Sequence, residues 1–130
     1  MSEVFFQERF VKIEHNTDQN WVEVVWYSYQ NADQLKSGMD KVLELLSKKS
    51  LSKIFMDMRA IQGTFTDAND WIAKEWIPTA NKAGFRYGVL TCSDDVFTKF
   101  ATNDLIKKIG TSQIKIFCNM EQGKAWLAAQ

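Results

Sequence analysis

The stretch Ile54-Phe55-Met56-Asp57-Met58-Arg59 is apolar for three residues, then alternates acid, methionine and base. A short apolar run of this kind reads as a buried strand over residues 53–58. A loop through Gly63 follows. The next segment, Asp70-Trp71-Ile72-Ala73-Lys74-Glu75-Trp76-Ile77-Pro78, has helical spacing, with its start near Thr66 or Asp67. Pro78 cannot donate a backbone hydrogen bond, so the helix is predicted to kink or end there. Gly84 supplies a helix stop, and residues 85–91 read as the next strand.

The same reading extends in both directions. Residues 4–14 are predicted as one strand, with Val11 and Ile13 alternating against Lys12 and Glu14. The segment His15-Asn16-Thr17-Asp18-Gln19-Asn20 is rich in turn formers. Residues 21–29 form a second strand, β-branched and aromatic on both faces. Its Trp21 and Trp26 point to opposite faces and both read as core. Asn31 caps a helix in capping-box spacing with Gln34. Leu35, Met39, Val42, Leu43 and Leu46 give that helix its apolar stripe. Downstream, Ser93 or Asp94 is predicted to cap a helix carrying Phe97, Phe100, Ala101, Leu105 and Ile109, and Gly110 closes it. Residues 114–117 are a further strand. Asn119, with Gln122 three residues on, caps a last helix carrying Trp126 and Leu127, of which Trp126 is read as core.

The predicted order is β-β-α-β-α-β-α-β-α. This is an α/β fold of one domain, residues 1–130, with a single mostly parallel sheet, an antiparallel N-terminal hairpin and four helices. Ligands and partners of such sheets meet the carboxyl ends of the strands. Those ends lie around Tyr29, Arg59 to Thr66, Cys92 to Asp94, and Asn119.

Bulk properties narrow the function. The 130 residues are 45% hydrophobic, enough for one core. Sixteen basic residues balance sixteen acidic ones, without the cationic surplus of a nucleic-acid binder. No run of about 20 apolar residues is present, so no membrane span is expected. The first residues are acidic and do not resemble a signal peptide. Cys92 and Cys118 do not make a disulfide scaffold in a chain with this much core, and a cytoplasmic protein with reduced thiols is expected. Cys118 reads as core within a strand. A metal site, a phosphate-binding glycine loop and a nucleophile elbow all lack their spacing, so neither metal nor cofactor is expected. Cys92 stands at a helix start, which favours a thiolate. The one histidine, His15, is predicted in the first turn, too far away to serve as its base.

The strand ending Met56-Asp57-Met58-Arg59, the pair Trp71-Ile72 and Trp76-Ile77-Pro78 before Gly84, and Phe117 with Glu121 and the closing Ala125-Trp126-Leu127 together resemble the STAS-like family. That family is named after the sporulation anti-sigma-factor antagonist, and the nearer match is its SpoIIAA-like branch. The resemblance covers nearly the whole chain and implies regulatory association rather than catalysis. In the antagonist branch, a serine within Asp-Ser-Ser-Gly after the third strand is phosphorylated by a partner kinase. The matching stretch here is Gly63-Thr64-Phe65-Thr66-Asp67-Ala68-Asn69, which lacks that motif and offers Thr64 and Thr66 as candidate phosphorylation sites.

Several residues stand out as ligand- or partner-binding candidates. Asp57 and Arg59, two apart on a strand, face one side at its carboxyl end. They form either a polar anchor or a simple ion pair. Trp71, Glu75 and Pro78 share one helical face, and Ile72 and Trp76 the adjacent one. Only one of these faces needs to pack on the sheet; the other forms an apolar groove or an interface, or both belong to one wide buried stripe. Three functions remain open on this reading. The first is a non-catalytic association domain, a homodimer with or without a protein partner. The second is a carrier of a small apolar ligand between Trp71, Trp76 and Tyr29, with Arg59 meeting a negative group. The branch shares its name with a lipid-transfer fold, which motivates this second reading. The third is an enzyme using Asp57 or Glu75 as acid or base.

Overall fold

The computed structural model describes residues 2–110 and 113–130. Its strands are β1 (Ser2–Glu8), β2 (Val11–Asn16), β3 (Trp21–Ser28), β4 (Lys53–Ile61), β5 (Tyr87–Thr91) and β6 (Ile114–Phe117). Its helices are α1 (Ala32–Lys48), α2 (Thr66–Trp71), α3 (Ile77–Lys82), α4 (Val96–Ile109) and α5 (Met120–Ala128). A π-helical turn, Ile72–Trp76, joins α2 to α3 in one continuous run. Four helical runs therefore accompany one six-stranded sheet in the order β1-β2-β3-β4-β5-β6. Strands β1 to β3 pair antiparallel; β3 to β6 pair parallel.

The α/β class and the single mixed sheet agree with the sequence. The strand count does not: the stretch read as one strand over 4–14 is a hairpin that turns at Arg9 and Phe10. The helix does not end at Pro78: the run continues to Lys82, and a π turn widens it just before the proline. Ile77 donates to the carbonyl of Ile72 in a wider loop, and Pro78, with no N–H to place, sits in the first turn of α3.

The capping box at Asn31 is present in both directions. Gln34 N–H donates to Asn31 Oδ1 at 2.8 Å, and Asn31 N–H donates to Gln34 Oε1 at 3.0 Å. Gly84 and Gly110 take positive φ after their helices. The cap of α4 moves from Ser93 or Asp94 to Asp95, whose Oδ1 accepts from Phe97 N–H and Thr98 N–H.

Alternation along the strands divides the core. Val22, Val24, Trp26, Ile54, Met56 and Met58 pack beneath α1, the α2–α3 run and α4. Trp21, Phe55 and Val89 pack on the opposite face beneath Leu127 of α5. Trp21 and Trp26 are thus both fully buried, on opposite faces as expected. Trp126 is not core: it lies half-exposed, edge-on to Tyr87 and beneath Lys115. On α1, Gly38 faces Trp26 so closely that a Cβ there would stand 2.5 Å from Cη2 of the ring. The indole is fully buried and cannot retreat. We expect Gly38→Ala to destabilise the fold by about 1–2 kcal/mol, because overpacking outweighs the helix propensity gained. Urea titration checks this, and a neutral or stabilising result would contradict the close contact.

Candidate functional site

Asp57 stands where β4 parts from its neighbours. The β3–β4 register slips between Val25 and Tyr27, so β4 carries an extra residue there. The β4–β5 ladder also ends at Met56, and beyond it side chains take up two backbone donors of β4. Met58 N–H donates to Thr91 Oγ1 at 2.7 Å, and Thr91 Oγ1 donates to Asp57 Oδ1 at 3.2 Å. Arg59 closes the set through its own N–H to Oδ1 at 3.0 Å and its guanidinium Nη2 to Oδ2 at 2.9 Å. Asp57 is buried, while the Arg59 side chain is 60% exposed.

Burial alone would push the Asp57 carboxyl up. The bonds from the Arg59 side chain and backbone and from Thr91 outweigh it and hold the carboxyl below its ordinary value. This geometry matches the ion-pair reading. A neutral-pH general acid needs the opposite shift. Glu75 is exposed on the α2–α3 run, far along the chain from this cluster.

The aromatic candidates separate. Trp76 is core: its indole N–H donates to the Met39 carbonyl at 2.8 Å, and its ring meets Phe85 edge-on. Ile72 is buried with it, so this is the helical face that packs on the sheet. Trp71 is half-exposed with the Lys36 ammonium 5.5 Å above its ring. The cavity lined by Met39, Met56, Ile72 and Trp76 holds about 40 Å³. That is small beside the roughly 300–1,000 Å³ of ordinary ligand pockets. Arg59 shares the Phe55 and Asp57 face of β4, opposite Trp76. The structure therefore does not bring Trp71, Trp76, Tyr29 and Arg59 into one cleft.

Tyr29 instead belongs to a different cluster at the carboxyl edge. It is 70% exposed and lies against Gly63, where a Cβ would come within 2.8 Å of its ring. Gly63 has φ +80°, open to glycine without strain. Its N–H donates to Asp95 Oδ2 at 3.3 Å, and its carbonyl accepts from Thr98 Oγ1 at 2.8 Å. The loop after β4 is thus clamped to the head of α4. Bonds from Thr98, Gly63 and Phe97 hold the Asp95 carboxyl low. Thr64 is exposed, and its Oγ1 accepts from Thr66 N–H at 3.3 Å.

This clamp fixes how α4 lies. Thr98, Ala101, Thr102 and Leu105 are buried. Val96, Phe97 and Phe100 are 67%, 64% and 68% exposed. Phe97 and Phe100, two of the apolar residues that mark this helix in the sequence, lie on the surface. Thr98 and Thr102 take the inward positions because their hydroxyls find backbone carbonyls, Gly63 and Thr98 respectively.

The thiols also differ from expectation. Cys92 and Cys118 are joined in a disulfide, with Cα atoms 4.7 Å apart. They follow the paired residues Thr91 and Phe117, so the bond ties the carboxyl ends of β5 and β6. Closing a loop over a separation of 26 residues contributes about 3 kcal/mol in the chain-entropy picture. Cys118 is exposed, outside the strand rather than within it. Disulfides form in oxidising compartments or in redox-active pairs.

Among the described residues, no group of three or more His, Cys, Asp or Glu side chains converges as a metal site would require. No described helix is long and apolar enough to cross a membrane. Comparison with protein-family models and with curated proteins finds no match to this chain.

The Asp57 network carries a pH signature. Its folded-state pKa is depressed, so its stabilisation is complete above the unfolded value near 3.9 and is lost as pH falls through the folded one. Asp57→Asn should cost about 1–2 kcal/mol at pH 7 and less at pH 3. Urea titrations at the two pH values test this; an equal cost at both would contradict the assignment.

Proposed function

We propose that the chain is a non-catalytic STAS-like domain, nearest the SpoIIAA-like branch, that acts by protein association and self-associates as a homodimer. The observation that carries this reading is the exposed trio Val96, Phe97 and Phe100 at the carboxyl edge of the sheet. Single exposed apolar residues are ordinary, whereas neighbouring ones mark interaction surfaces. The edge position supports the reading, since α/β sheets meet their partners there.

The rigid clamp between Gly63, Asp95 and Thr98 supports it further, because a preorganised surface loses less entropy on binding. Thr64 in the loop and Thr66 at the start of α2 occupy the stretch where the family's phosphoserine would stand. A phosphate on exposed Thr64 would add charge next to Gly63 and so alter the same edge. The carrier reading has weaker support, because the apolar cavity beside Trp76 is too small for a lipid and lies across the sheet from Arg59.

Native mass spectrometry of gently purified protein tests this function. The expected spectrum contains a dimer and no small-molecule adduct. A monomer carrying a stoichiometric adduct, lost in Trp71→Ala, would overturn association in favour of the carrier.

A further inference from the structure

Cys92 and Cys118 stand side by side just past the carboxyl ends of β5 and β6. Their placement does not depend on the bond between them. The parallel ladder runs from Gly88 opposite Ile114 to Thr91 opposite Phe117, and Cys92 N–H continues it by donating to the Phe117 carbonyl at 3.0 Å. On β5 itself, Leu90 and Val89 are buried on the two faces of the sheet. Asn119, the residue after Cys118, is fixed as the cap of α5 by accepting from Gln122 N–H at 2.9 Å. Backbone pairing and core packing therefore hold the two cysteines within reach of each other, oxidised or reduced.

The bond is also open to attack. Cys118 is exposed and Cys92 half-buried. Together with Ser93, Lys99, Asn103 and Ile116 they line one cleft of about 260 Å³. Lys99 is exposed and takes part in none of the ion pairs found among the described residues. A cation beside a sulfur favours its thiolate. Disulfides that serve only as staples resist the thiol pool, whereas exposed ones are the exchangeable kind.

From this arrangement we propose that Cys92–Cys118 is a reversible thiol–disulfide exchange site whose co-reactant is a soluble thiol. The proposal goes beyond the association reading and does not rest on it. An incoming thiolate attacks Cys118 Sγ, the sulfur of the exposed residue. A new S–S bond forms there, the bond to Cys92 breaks, and its electron pair leaves on Cys92 Sγ. Lys99 in the shared cleft stabilises that leaving thiolate. A second thiolate then attacks the co-reactant's sulfur in the mixed disulfide, releasing Cys118 as a thiolate and the co-reactant as its own disulfide. The chain gains two electrons and two protons, and the two thiols lose them. Oxidation runs the same steps backward. Its closing displacement, by Cys92 on the mixed disulfide at Cys118, is intramolecular and favoured by the positions that the ladder imposes.

Reduced glutathione at millimolar concentration, added to the folded chain, is the probe. Quenching with iodoacetamide and measuring the intact mass counts the free thiols. The oxidised chain should gain two carbamidomethyl groups, and oxidised glutathione should restore the bond, with the far-UV circular dichroism unchanged throughout. Quenched early, the reaction should leave glutathione on Cys118 and carbamidomethyl on Cys92 in a peptide map; the opposite labelling would overturn the roles given to the two sulfurs. Lys99→Gln, a change at an exposed position, should slow reduction about threefold. An unchanged rate would remove Lys99 from the step. A bond that resists glutathione until urea unfolds the chain, or a chain that loses its fold on reduction, would overturn the exchange site and make the disulfide a structural staple. Thiols that stay free in oxidised glutathione would overturn it as well.

Discussion

The orientation of α4 depends on one set of hydrogen bonds. Asp95 gathers the N–H groups of Phe97, Thr98 and Gly63, and Thr98 returns a bond to the Gly63 carbonyl. With Thr98 drawn inward, residues 100° and about 160° around the helix must face out, and these are Phe97 and Phe100. The exposed patch is therefore a consequence of the cap and its loop rather than a lapse in packing. The Gly63 conformation and the seat of Tyr29 follow from the same clamp.

The sheet divides its burden unequally. Three helical runs cover one face and build the large core around Trp26, Trp76 and Phe85. The other face has only α5, with the small cluster of Trp21, Phe55, Val89 and Leu127. Beyond α5 that face carries Lys12, Glu14, Glu23 and the Asp57–Arg59 pair, and its charges are largely neutralised in pairs. The ion pairs there are half-buried or exposed, and each contributes little to stability. The Asp57 network instead serves the backbone donors of Met58 and Arg59 where β4 leaves its ladders to β5 and β3.

Much of this was legible in the sequence. The capping box at Asn31, the caps at Gly84, Gly110 and Asn119, and the β-branched strand of Trp21–Ser28 are local signals and reappear in place. The hairpin at Arg9 and Phe10 was hidden because neither residue is a turn former. On α4 two stripes share the helix at similar spacing, and the apolar pattern alone does not separate the inner one from the outer. Two threonines won the inner positions through hydroxyl bonds that a hydrophobic pattern does not record. The Cys92–Cys118 bond depends on the β5–β6 register, which lies in tertiary structure rather than in the spacing of the two cysteines. The Trp71, Trp76 and Arg59 cleft failed on strand parity, since Arg59 and Trp76 lie on opposite faces of β4.

The central claim is that the exposed face of α4 is where the protein meets its partner. Amide NMR spectra recorded through a dilution series test it residue by residue. The account predicts concentration-dependent shifts at Val96, Phe97, Phe100, Asn103 and Lys107, with little change along the α2–α3 run. Shifts centred on Trp71 and Glu75, with α4 silent, would contradict it.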